Sequence, residues 1–194
     1  MHQTTALKIL NAQARQDRAI FTRRDLDGLF RADRPKARGA SIARLVDAGW
    51  LQPAARGVYL YPPGLPRDGY TLERIARTLR RGEYSYVSLE SALSEWGAIS
   101  QIPLGRLTVM TTGRKGTFRT EWGTIEFTHT ARPIEDILNH TVHDERRPLR
   151  IAMPETAWRD LKRVGRNTEM VDQEELADII RDREEALHGT PTTD

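Results

Sequence analysis

The stretch Arg56–Pro66, RGVYLYPPGLP, decides how the N-terminal part of this 194-residue chain is read. Val58, Tyr59, Leu60 and Tyr61 favour a pleated strand. Pro62 and Pro63 end it, because a proline has no N–H for the ladder and restricts the residue before it. Just upstream, WLQPAARGVYLY divides into a short strand at Trp50–Leu51, a turn through Pro53–Gly57 and a returning strand at Val58–Tyr61. The result is a small hairpin with Arg56 at its tip.

Working back from the hairpin, three helices precede it. TALKILNAQA places Leu7, Leu10 and Ala14 at helical spacing, with Ile9 beside them. In IFTRRDLDGLF, Thr22 is an N-cap with Asp25 three residues on, the outline of a capping box. Leu26, Leu29 and Phe30 then form an apolar face. The third helix runs from about Asp33 to Ala48, with Asp33 as cap, Pro35 in the first turn and Gly49 as the stop. Ile42, Leu45 and Val46 form its buried stripe. Gly39 weakens it by roughly 1 kcal/mol relative to alanine.

Three helices followed by a basic hairpin are the order of a winged helix-turn-helix. In such a domain the second helix of the pair enters the major groove. With Ile42, Leu45 and Val46 inward, Ala40, Ser41 and Arg44 are expected outward, with Lys36 and Ala37 near the same face. Small residues let a helix approach the groove, and Arg34, Lys36 and Arg44 are placed to meet phosphates or a guanine edge. Arg23 and Arg24, opening the preceding helix, are expected to clamp backbone phosphate with help from the helix N-terminus. Arg56 completes the candidate DNA-binding set at the tip of the wing.

Charge agrees with that division of labour. Residues 1–81 hold 16 Lys/Arg against 7 Asp/Glu, and residues 82–194 hold 14 against 20. A basic N-terminal part is a candidate nucleic-acid binder, although an unevenly charged surface produces the same count. The mean hydropathy of -0.60 and the lack of an apolar run of about 18–20 residues argue against a membrane protein. The N-terminus has no apolar region with a cleavage site, so no signal peptide is expected. The chain has no cysteine, which excludes disulfides and thiolate chemistry and fits the cytoplasm.

Tyr61–Gly69, YPPGLPRDG, reads as a linker. The expected organisation is a winged helix over 1–61, a linker over 62–69, an α+β domain over 70–188 and a disordered tail over 189–194. TLERIARTLRRG is a helix carrying Arg74, Arg77, Arg80 and Arg81 outside; a solvated face is the preferred reading over an extension of the DNA-contacting surface. In YSYVSLESALSEWGAISQIP, Ser88 caps a helix with Ser91 three residues on, and Gly97 stops it. LTVMTT and TFRTEWGTIEFTHT alternate with period two, and Gly113–Gly116, GRKG, is expected to be a hairpin turn between them. Gly123 marks another turn or a bulge. PETAWRDLKRV and DQEELADIIRDREEALHG supply two further helices. The fold class is therefore α+β: an N-terminal winged helix-turn-helix, then an α+β domain with a small antiparallel sheet packed by helices.

The chain resembles the AbiEi family of antitoxins, from abortive-infection (type IV) toxin–antitoxin systems of bacteria. The matching parts are LVDAGWLQPAARGVYLYP, YSYVSLESALSEWGAISQIP, LTVMTTGRKGTFRTEWGTIEFTHT and IAMPETAWRDL, which span most of residues 5–180. The resemblance implies a winged helix that binds inverted repeats of double-stranded DNA in its own promoter and represses the operon. It implies a C-terminal domain that counters a nucleotidyltransferase-like toxin without forming a stable complex with it. It carries no catalytic residue. The protein is expected to bind as a monomer or a weak dimer on DNA, with no membrane partner.

An enzyme is the weaker reading. His140 and His143 lie near Glu135, Asp136, Asp144 and Glu145, but their i, i+3 spacing suits polar surface side chains better than a metal site. Neither GxxxxGK[ST] nor GxGxxG occurs, so no nucleotide cofactor is implied, and no metal or other cofactor is expected. Two alternatives stand beside the antitoxin: a stand-alone repressor whose C-terminal domain senses a ligand or partner, and a nuclease subunit targeted by its winged helix.

Overall fold

A computed structural model of the chain describes residues 1–100 and 105–188. The tail over 189–194 and the Gln101–Leu104 part of the expected core segment lie outside the described residues. Contacts divide the described chain into two compact units. One is Met1–Arg81 with Phe118–Trp122; the other is Gly82–Thr117 with the described residues from Gly123 onward. The α+β class and the winged helix are both observed.

The first unit runs α1 (Gln3–Ala14), β1 (Ile20–Thr22), α2 (Arg23–Leu29), α3 (Pro35–Asp47), β2 (Gln52–Ala55), β3 (Val58–Leu60) and α4 (Thr71–Leu79), with a 3-10 turn at Pro62–Gly64. Its three strands form an antiparallel sheet in the order β1-β3-β2. Ala6, Leu10, Phe21, Leu26, Phe30, Ile42, Leu45, Leu51 and Tyr61 make its core. Tyr61 also donates its hydroxyl to Asn11 Oδ1 at 2.8 Å, so its polar tip is satisfied while its ring is buried.

Local chemistry explains the element ends. Thr22 and Asp25 form the full capping box: the Asp25 N–H donates to Thr22 Oγ1 at 3.1 Å, and the Thr22 N–H donates to Asp25 Oδ2 at 2.7 Å. Gly49, at φ +74°, takes the left-handed position that ends α3, as glycine does without strain. The hairpin departs in register from its sequence reading. Its first strand is Gln52–Ala55, and Trp50–Leu51 instead donate to the Leu45 carbonyl as the helix closes. Pro53 is tolerated because β2 pairs on one side only. Phe21 and Ile20 add the third strand, β1, which the sequence presented as the lead-in to a helix.

The second unit runs β4 (Ser85–Val87), α5 (Leu89–Trp96), β5 (Arg106–Thr111), the first two residues of β6 (Gly116–Thr120), whose remainder groups with the first unit, β7 (Gly123–His129), α6 (Ile134–Asn139), β8 (Thr141–Val142), β9 (Arg150–Ala152), α7 (Pro154–Val164) and α8 (Gln173–His188). Its sheet has six strands in the order β6-β7-β5-β4-β9-β8. The sheet is mixed, with β5–β7 and β4–β9 parallel and β4–β5 and β8–β9 antiparallel. The expected hairpin at Gly113–Gly116 is therefore not one: β5 pairs with β7, and β6 lies beyond β7. The reason is burial. Leu107, Thr108, Val109, Met110 and Thr111 are all buried, so β5 is covered on both faces and takes a central place. The alternating, half-exposed β6 goes to the edge.

A buried polar cluster ties this sheet to α7. Asp160 is fully buried. It accepts hydrogen bonds from Arg132 Nη2 at 2.6 Å, Ser88 Oγ at 2.8 Å and the Tyr86 hydroxyl at 3.1 Å. Ser88 thus marks the start of α5 but spends its side chain on Asp160. Thr108 Oγ1 takes over the capping, accepting the Ser91 N–H at 3.0 Å. Burial, together with the Asp160 carboxylate, pushes the Tyr86 hydroxyl far above its usual pKa. Among the described residues, no helix is long and apolar enough to cross a membrane.

Two expectations follow. Asp160→Ala leaves the largely buried Arg132 guanidinium with only its longer contact to Asp136, at 3.7 Å, and urea unfolding is expected to show a loss of about 3 kcal/mol. In the first unit, burial raises the Asp25 carboxyl, but the Arg81 guanidinium at 2.7 Å and the two Thr22 hydrogen bonds outweigh it and bring the pKa from 3.8 to about 2. A carboxyl depressed in the folded state adds stability that is present above 3.8 and lost as pH falls towards about 2. Arg81 is half exposed, so solvent screening reduces the effect to about 1–2 kcal/mol. Asp25→Asn is expected to flatten that part of the acid-unfolding profile.

Candidate nucleic-acid interface

The exposed face of α3 is made by spacing. Ser41, Ile42 and Leu45 are buried, which turns Lys36, Ala37, Ala40, Ala43, Arg44 and Asp47 to solvent. Three alanines leave the helix surface low between Lys36 at one end and Arg44 near the other. Arg34 stands exposed at the N-cap. The cap lies there and not at Asp33, because Pro35 occupies the first helical position. The freed Asp33 carboxylate accepts instead from Ser41 Oγ at 2.8 Å and pairs with the Met1 amine, also at 2.8 Å.

That arrangement corrects one orientation. Ser41 was expected outward with Ala40 and Arg44, but it is 4% exposed. Its hydroxyl is used internally, donating to Asp33 and accepting from Arg44 Nη2 at 3.0 Å. Ala43, which the sequence reading passed over, takes the outward place. Arg38 also turns inward, donating to the Asp33 carbonyl at 3.1 Å and the Asp27 carbonyl at 3.2 Å. It pins α3 to α2 and is structural. Its i, i+4 offset from Ile42 on the buried stripe was the available signal.

The wing stands beside this face. β2 and β3 are joined by Arg56-Gly57, and Gly57 is at φ +75°, which a side chain would resist. Arg56 is exposed at the tip. Arg23 donates its backbone N–H to the Gly57 carbonyl at 2.7 Å, so the start of α2 is bonded directly to the wing turn. Arg23 and Arg24 both project to solvent. The backbone N–H groups expected to assist them are not all free: Thr22 and Asp25 take up the start of α2 in their own capping box.

Arg23, Arg24, Arg34, Lys36, Ala40, Arg44 and Arg56 are thus surface residues of one unit, while Ser41 supports them from below. The acids nearby are Asp27, half-buried and paired to Arg23, and the exposed Asp47. Away from this surface, His140 Nδ1 contacts Asp136, 2.8 Å from its carbonyl oxygen and 2.9 Å from its carboxylate. Among the described residues, no three His, Asp or Glu side chains come together to hold a metal ion.

Comparisons with known proteins agree with this architecture. The crystal structure of the RV2827C protein from Mycobacterium tuberculosis superposes with a TM-score of 0.57 over 93% of this chain and 72% of that one, at 18% identity. At that identity the likeness is one of fold. No curated protein matches the chain. Residues 9–62 match the family described as transcriptional regulator, AbiEi antitoxin. Those residues run from α1 through the wing, so the match falls on the winged helix of the first unit.

Proposed function

We propose that the protein is a cytoplasmic antitoxin that binds an inverted-repeat operator in its own promoter through the winged helix and represses its operon. The observation that carries this reading is the exposed strip of α3, three alanines between Lys36 and Arg44, set beside a wing tipped by Arg56. A low strip admits the helix to a major groove, and flanking cations meet phosphates and base edges. The family match over residues 9–62 supports the regulator role. The domain assignment 1–61, 62–69 and 70–188 is kept as part of the proposal.

In this reading the C-terminal domain supplies the antitoxin activity, acting on a nucleotidyltransferase-like toxin without a stable complex. Support comes from the resemblance of the YVSLESAL and IAMPETAWRDL segments to the family. The alternative is a stand-alone repressor whose C-terminal domain senses a ligand or partner. The two separate in one assay. Arg44→Ala expressed from an unrelated promoter alongside the neighbouring toxin gene is expected still to protect cells, because protection does not need operator binding. A stand-alone repressor protects in neither form.

Operator binding is tested by fluorescence anisotropy with the chain's own upstream DNA and a scrambled duplex. Affinity for the former is expected to exceed the latter by about 10³-fold or more. Equal, weak and strongly salt-dependent binding to both overturns sequence-specific repression. Arg44→Ala is expected to cost about 1–3 kcal/mol and relax specificity, as loss of a base contact does. Lys36→Ala is expected to weaken binding to all sequences alike and to reduce the salt slope by about one.

A further inference from the structure

A serine at position 41 needs a physical reason. The site is buried, alanine is the better helix former, and a buried hydroxyl destabilises the fold unless it is bonded. A hydroxyl has one proton and two lone pairs. The Ser41 proton goes to Asp33 Oδ2 at 2.8 Å, and the largely buried Asp33 is itself held by the Met1 amine. Without that acceptor the hydroxyl would be free to turn and donate back to a helix carbonyl, as serines do. With it, the lone pairs are left for Arg44, whose Nη2 donates at 3.0 Å; the Met1 amine lies farther off, at 3.5 Å. Arg44 Nη2 also reaches the Met1 carbonyl at 3.4 Å. Arg44 stands three residues beyond Ser41, on the exposed side of α3. One nitrogen of its guanidinium is therefore fixed to the fold. Nε and Nη1, which carry the other N–H donors, take no hydrogen bond from the protein among the described residues.

We propose that Ser41 is a positioning residue for sequence reading and that Asp33 fixes the direction of its hydroxyl: together they hold one nitrogen of Arg44, so that the free side of the guanidinium is set for a base edge before DNA arrives. The proposal rests on the DNA-binding reading above and adds how its specificity contact is prepared. The guanidinium is planar, so anchoring one nitrogen restricts the direction of the others. An untethered arginine loses rotamer freedom on binding, and one already held loses less. Removing the anchor leaves the charge of Arg44 in place. The effect therefore belongs in discrimination between sequences, and the salt dependence, which counts charges brought to phosphates, is unaffected.

The test compares the full wild-type chain with Ser41→Ala by fluorescence anisotropy, on the chain's own upstream DNA and on a scrambled duplex, at several salt concentrations. Ser41→Ala is expected to weaken binding to the upstream DNA about 3- to 10-fold, with affinity for the scrambled duplex and the salt slope kept at wild-type values. In an Arg44→Ala background the same substitution is expected to change nothing further, because the group it positions is gone. Asp33→Asn is expected to lose affinity for the upstream DNA in the same direction, again only where Arg44 is present, and it decides the matter if Ser41→Ala does not fold. A loss shared equally by both duplexes, or repeated in full without Arg44, marks a purely structural serine and overturns the inference. Tighter binding to the upstream DNA overturns it as well, since that is what an arginine parked on Ser41 and then released would give. Discrimination kept at the wild-type level in Ser41→Ala overturns the inference and leaves DNA binding intact. A wild-type chain with no preference for its own upstream DNA overturns the repressor reading and this inference with it.

Discussion

The first unit depends on the placing of β3. Three residues, Val58–Leu60, pair with β1 on one side and β2 on the other. A three-residue strand has few hydrogen bonds of its own, so pairing on both sides is what keeps it in place. Its register also decides what lies around it. The β2 side makes the wing, and the β1 side leads straight into α2 at Thr22. The Arg23–Gly57 backbone bond closes the gap between them. The wing tip and the start of α2 are therefore one mechanical piece, with α3 packed beside it through Ile42 and Leu45.

The second unit is organised differently. Its centre is a charge removed from water. Isolating a carboxylate in a protein interior is costly unless it is paired and its lone pairs are used. Asp160 meets that condition with three partners, drawn from β4, the start of α5 and the loop before α6. Arg166 plays a similar part nearer the surface, joining Glu90 and Glu126. Such clusters fix which strand faces which helix more sharply than apolar contact does, because a hydrogen bond is lost over a fraction of the distance a methyl group tolerates.

The basic surplus of the N-terminal part separates into two populations once its partners are known. Arg38, Arg74 and Arg81 bond to carbonyls or carboxylates of the fold. Arg24, Arg34, Lys36 and Arg56 project from the surface near α3 and the wing. Arg23 and Arg44 belong to both: Asp27 holds the one, Ser41 and the Met1 carbonyl hold the other, and both stay open to solvent. A residue count treats these cations as equals. Their surroundings do not, and only those with charge left over can release counterions from a nucleic acid.

Much of the first unit was legible in order along the chain. The Thr22–Asp25 box, the Gly49 stop, the Gly57 bend and the proline break after Tyr61 are decided within a few residues, where backbone dihedrals and short hydrogen bonds act. So the winged helix and most of its outward cations could be read from sequence alone. What sequence could not settle lies between distant residues. Ser41 turns inward because Asp33 is there to accept from it. β5 pairs with β7 because both its faces are buried by elements far away in sequence. Ser88 serves Asp160, 72 residues on. Each is a choice between local conformations of similar energy, and tertiary packing supplies the difference.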